Sequence, residues 1–182
     1  HELSPPPGLQ SAAYKKALRQ VRSNGIAPEL TGTLPILQNK RSVDETLIGL
    51  FWAYDGVREL GTPPRFYNQI VREISAAKNN TVDQDARLFA LVNAAMADAG
   101  ILAWDQKYIH DFWRPVVGIR EQDPSMGPSA VTGKNNIDDD CDPSWLPLGA
   151  PASNSSDPNF TPFFPAYPSG HATFGAAALH MV

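Results

Sequence analysis

Proline is unevenly placed in this chain. Between Pro64 and Pro115 no proline intervenes and Gly100 is the one glycine, whereas nine prolines fall from Pro124 to Pro168. A proline inside a helix removes a backbone hydrogen bond and collides with the preceding turn, so the first stretch is free to be helical and the second is not. The chain therefore reads as a helical half followed by a wrapping loop. Apolar spacing predicts helices over Ser11–Ser23, Asp44–Leu60 and Phe66–Ala77, the last with Ile70, Val71 and Ile74 inward. A fourth starts at Thr81, where Thr81 and Gln84 fit a capping box, and runs toward Phe112. At ~1.5 Å per residue such a helix spans a whole domain, which predicts an all-α helical bundle. From Val117 to Tyr167 turn chemistry dominates, and a last Ala-rich helix opens at Ser169-Gly170. The expected organisation is one domain, with helices over 11–116, a Pro-rich loop over 117–167 and a closing helix over 169–182.

At 182 residues, 42% hydrophobic and 19% charged, the chain can bury a core and is not a disordered polyelectrolyte. A net charge of −4 lacks the basic excess that a phosphate backbone demands, so no nucleic acid is expected as a partner. No membrane span is expected either: the longest apolar stretch, Leu88–Leu102, is interrupted by Asn93 and Asp98. A lone cysteine, Cys141, excludes an internal disulfide and a thiolate metal cluster. The chain starts at His1 with no charged-then-apolar leader, which is read as a removed targeting segment or an excised piece. A secreted or extracytoplasmic location is the expectation.

Lys107 and Arg114 are seven apart, ~20° short of two full helical turns, so on a continuous helix they share a face about 10 Å apart. Two permanent cations so placed suit an oxyanion held between them. The plainer reading is two solvated surface charges, but Trp104, Tyr108, Phe112 and Trp113 make this turn a poor setting for solvent-facing charge. Pro115 disfavours helical backbone at Arg114 and puts that cation at a helix end. Pro168-Ser169-Gly170-His171 then opens the last helix. A helix N-terminus offers unpaired amides and a positive dipole end, Ser169 adds a hydroxyl, and Gly170 permits close approach of a ligand. His171 in the first turn can exchange a proton near neutral pH. Taken alone, the tetrapeptide is equally an ordinary Ser N-cap with a surface histidine.

Lys-x6-Arg-Pro followed by Pro-Ser-Gly-His resembles the first two parts of a three-part signature. It is shared by vanadium-dependent haloperoxidases and type 2 phosphatidic acid phosphatases. Trp52-Ala-Tyr-Asp-Gly, Gly61-Thr-Pro-Pro-Arg-Phe-Tyr-Asn-Gln-Ile-Val, Ala86-Arg-Leu-Phe-Ala-Leu-Val, Asp98-Ala-Gly-Ile, Phe112-Trp-Arg-Pro, Leu148-Gly-Ala-Pro-Ala and Phe164-Pro-Ala-Tyr-Pro-Ser-Gly-His-Ala-Thr-Phe-Gly are similar to the fungal vanadium chloroperoxidases. This covers most of the chain from about Leu47 onward.

The resemblance implies vanadate as cofactor, with Lys107, Arg114, Ser169 and Gly170 among its hydrogen-bond donors and His171 as the acid-base histidine. It implies Trp104 and Phe164 beside a halide site, and Asp55 paired with a second vanadate arginine. That arginine and the histidine bonding vanadium belong to a third motif, absent from these 182 residues and expected beyond Val182. The domain is then a partial bundle that needs the remainder of its own chain, and the fragment alone is expected to be inactive. His180, nine residues past His171 on the same helix, faces ~180° away and is no substitute. His110 reads as a packed or exposed histidine.

A cage of Lys, Arg and helix-end amides neutralises an oxyanion and makes its metal more electrophilic. The implied reaction oxidises chloride or bromide with hydrogen peroxide to hypohalous acid, with phosphate as a competitor for the cage. A phosphate ester fits the same cage, so an acid phosphatase stands as the alternative, beside a noncatalytic fragment. Three sequons, at Asn79, Asn154 and Asn159, are near chance in number. Asp138, Asp139, Asp140 and Asp142 lack a calcium-loop pattern and read as a solvated loop.

Overall fold

The structure is a computed structural model that describes residues 3–28, 41–53, 61–120, 144–148 and 161–182. Its helices in chain order are α1 (Ala12–Asn24), α2 (Val43–Trp52), α3 (Pro63–Lys78), α4 (Val82–His110), α5 (Pro115–Arg120) and α6 (Gly170–His180). Among the described residues there is no strand, only an isolated antiparallel bridge between Ile26 and Pro147. The all-α expectation holds.

Several helix ends differ from the sequence reading, each for a physical reason. α3 starts three residues early because Pro63 and Pro64 occupy its first positions, where a missing N–H costs nothing and the fixed φ is already helical. α2 stops at Trp52, with Ala53 as its cap, and residues 54–60 lie outside the described set. α5 occupies the start of the segment read as loop; Pro115 begins it, and five residues without another proline complete its short run. The rest of that segment falls largely outside the described residues, while 144–148 and 161–168 are non-helical. α4 starts as expected: Thr81 Oγ1 accepts from the Gln84 amide at 3.3 Å and Gln84 Oε1 accepts from the Thr81 amide at 2.8 Å. It ends at Asp111, left-handed at φ 41°, whose amide donates to the Lys107 carbonyl at 2.9 Å.

The chain divides into two compact units. The first comprises His1–Leu3, Asp55–Asp111 and Ala166–Val182. In it α3, α4 and α6 pack on one another. Tyr67, Val71, Val92, Met96 and Ala178 form the buried cluster, with Leu88, Phe89 and Phe174 around it. The pairs 67/71, 92/96 and 174/178 are each four apart, the spacing that stacks side chains on one helix face. α3 and α6 approach closely where a side chain is missing: a Cβ on Gly175 would lie 2.6 Å from Tyr67 Oη. α4 is long and apolar enough to cross a membrane by length and composition alone, a test that the core helix of a soluble bundle also passes.

The second unit comprises Ser4–Tyr54 and Phe112–Pro165. α1 and α5 pack together, and Tyr14, Leu18, Ile26, Ile119 and Trp145 are its buried cluster. The Trp145 indole donates to the Arg22 carbonyl at 3.0 Å, and the Trp113 indole donates to Tyr14 Oη at 2.7 Å, so the buried ring and the half-buried one each have their polar atom satisfied. α2 leaves Leu47, Ile48, Phe51 and Trp52 exposed.

Met96→Ala should destabilise the first unit by about 2–5 kcal/mol, the usual cost of a buried long side chain, measured as a shift in the urea midpoint with unchanged slope. α2 should respond to acid. Its capping box holds the Glu45 carboxyl below its ordinary value of 4.5, chiefly through the Ser42 amide and then the Ser42 hydroxyl. A carboxylate with a depressed folded pKa contributes stability that is present above the unfolded value and lost as pH falls through the folded one. Amide exchange at residues 43–46, corrected for intrinsic rates, should therefore accelerate below pH 4.5 in the natural protein, and Glu45→Gln should remove that acid dependence.

Candidate active site

The last turns of α4 and the segment leading into α6 bring most of the candidate residues together within the first unit. Lys107 is 1% exposed, and its ammonium donates to the carbonyls of Pro168 at 2.5 Å and Ala166 at 3.4 Å. A charge removed from water must be compensated, and here main-chain dipoles do so, placing a cation beside the start of a helix. Trp104, one turn back on α4, carries the ammonium 5.6 Å over its ring and packs against Phe174. Its indole also lies so close to Gly170 that an added Cβ would sit 3.0 Å from the ring, so residue 170 is glycine because the indole fills the space.

Ser169 caps α6, its Oγ accepting from the Ala172 amide at 3.4 Å while its carbonyl accepts from the Thr173 amide and hydroxyl at 3.0 and 2.7 Å. His171 sits in the first turn, half-buried, and its carbonyl accepts a hydrogen bond from Tyr67 Oη at 3.1 Å. Burial holds the Tyr67 phenol above its ordinary value, so it stays a donor. Tyr67 was missed in the sequence: it lies 104 positions from His171 and nothing local signals the bond.

Arg114 does not share a helix face with Lys107. The left-handed Asp111 terminates α4 four residues after Lys107, and Arg114 stands before Pro115 at the start of α5, so helical rise sets no distance between them. Within the second unit the Arg114 Nε donates to the Phe164 carbonyl at 2.7 Å and the guanidinium lies 4.6 Å over the Phe164 ring. Asp55 lies outside the described residues, as do Asp138, Asp139, Asp140, Asp142 and two of the three sequon asparagines; Asn79 is exposed in the turn between α3 and α4. His180 is at the far end of α6 from His171. His110 is packed edge-on against Tyr167, with ring centres 5.4 Å apart.

Among the described residues no group of three His, Cys, Asp or Glu side chains could hold a bare metal ion. An ammonium, a capping hydroxyl and the helix-start amides are the donor set at the opening of α6, where the Trp104 indole packs on Gly170 in the space of a Cβ. Vanadate, a tetrahedral oxyanion, fits the chemistry of that set.

The structure thus defines a class: an all-α bundle with a buried cation at the N-terminus of a Ser-capped helix, suited to oxyanions. The family described as the VCPO second helical-bundle domain matches residues 87–182. The whole chain is 46% identical, over 197 aligned residues, to the vanadium chloroperoxidase of Curvularia inaequalis, of whose length it spans 29%. The chain belongs to the vanadium haloperoxidase family. No solved structure matches it.

Lys107→Ala removes the ammonium that satisfies the Ala166 and Pro168 carbonyls, and buried acceptors left without a donor cost about 1–3 kcal/mol. The variant should show that loss in denaturant unfolding and, in addition, weaker inorganic phosphate binding by calorimetry.

Proposed function

We propose that this chain carries part of the active site of a vanadate-dependent haloperoxidase, which oxidises bromide or chloride with hydrogen peroxide to hypohalous acid. The observation that carries the reading is the buried Lys107 ammonium at the opening of α6, beside the Ser169-capped helix start. The relative's name supports vanadium and chloride as the chemistry. When bound, vanadate acts as a Lewis acid on hydrogen peroxide.

In this reading Lys107, the Gly170 amide and Ser169 would hold the oxyanion's negative charge. They are fixed in place before any charge develops, so they need little reorganisation during the reaction. The family pattern also assigns Arg114 to the oxyanion; within its own unit its guanidinium is ordered by Phe164. His171 holds or releases a proton at its imidazole, carried on a helix turn that Tyr67 pins from α3. The family pattern gives Asp55 the role of orienting a cation of that cage. The family pattern assigns Trp104 and Phe164 to the halide side, where apolar surface would strip water from the anion.

In the full-length protein, vanadate and peroxide should oxidise a phenol dye in the presence of bromide faster than in the presence of chloride, with phosphate competing. Lys107→Ala should lower the rate by about 10²-fold, the usual loss on deleting one charge-stabilising donor. His171→Ala should reduce chloride oxidation more than bromide oxidation, since the harder oxidation depends more on the proton. Efficient hydrolysis of p-nitrophenyl phosphate by a protein that, loaded with vanadate, oxidises neither halide would instead assign the site to a phosphatase.

A further inference from the structure

The last turn of α4 carries two side chains that reach the same short segment. Lys107 and His110 are three apart, neighbours on one helix face. Lys107 bonds the carbonyls on either side of Tyr167, those of Ala166 and Pro168, while the His110 ring meets the Tyr167 ring at 5.4 Å and 68°. Pro168 leads directly into Ser169 and Gly170, the start of α6. His110 Nε2 is buried and, among the described residues, has no hydrogen-bond partner. A buried polar atom without a partner adds nothing to stability, so what this position contributes is the flat ring and its contact with Tyr167.

From this we infer that His110 is a positioning residue. Its ring braces Tyr167 so that the 166–168 segment stays at the spacing where its carbonyls grip Lys107, which fixes where the ammonium stands relative to the opening of α6. The segment is held at two points: a charged one at Lys107 and an aromatic one at His110. Losing the second lets Tyr167 swing and slackens the first, although His110 touches no ligand. For vanadate the inference rests on the functional reading above; for the local order of the segment it does not.

The test uses the full-length protein, orthovanadate as probe and amide exchange read by mass spectrometry. An edge-on aromatic pair is of the size that changes an equilibrium about three- to tenfold. His110→Ala should speed exchange at residues 167–171 by that factor, leave residues 70–76 of α3 unchanged, and weaken orthovanadate binding by a similar factor. His110→Phe keeps the ring and deletes the orphan nitrogen, and should restore both readouts with a Tm at or above that of the natural protein. If His110→Ala does not fold, His110→Leu, which keeps apolar volume without a flat ring, carries the same expectation. Unchanged exchange at 167–171 in a folded ring-less variant overturns the inference. So does His110→Phe behaving like His110→Ala, which would assign the role to the nitrogen. A natural protein that binds no orthovanadate overturns the functional reading, and the exchange measurement still decides the role of His110.

Discussion

A buried ammonium organises the first unit. Lys107 is almost wholly withdrawn from water, and its charge is met by the carbonyls of Ala166 and Pro168. An unmet charge in such a place would cost several kcal/mol, so the segment before α6 cannot drift from α4 without exposing that cost. The same contact ends with a positive side chain next to a positive helix end. Two like potentials held together by neutral acceptors leave a positive potential at the opening of α6, and the proposed oxyanion site rests on it.

Much of this was legible. The long helix followed from the proline-free stretch, and its N-terminus from the Thr81 and Gln84 capping box, because both are local rules. The start of α6 was legible for the same reason: Ser169 caps through its own backbone neighbourhood. Lys107, Gly170 and His171 were visible as a motif, and the structure shows what the motif does physically for two of them, burying one cation and seating an indole on a glycine.

What was not legible depends on single residues that override a pattern or on contacts across long sequence separation. One left-handed residue, Asp111, breaks the helical register that would align Lys107 with Arg114 on a continuous helix. Aspartate is among the few residues besides glycine that enter that conformation, but most aspartates do not, so with no glycine there the sequence did not mark the stop. Pro63 and Pro64 stand outside the expected helix Phe66–Ala77 and yet begin it, since proline is compatible with a first helical turn and hostile to any other. The Tyr67 bond to His171 and the His110 contact with Tyr167 join segments that only the folded chain brings together.

The fit of Tyr67 against Gly175 has an evolutionary consequence. The phenol occupies the volume that a side chain at 175 would need, and its oxygen is committed to the first turn of α6. A larger residue at 175 would evict the ring, while a smaller residue at 67 would leave both a hole and a carbonyl short of a donor. Neither position can drift alone, so across related sequences the two should change together or not at all. That coupling ties the α3–α6 seam to the histidine it carries, and makes packing in this bundle heritable as pairs rather than as single residues.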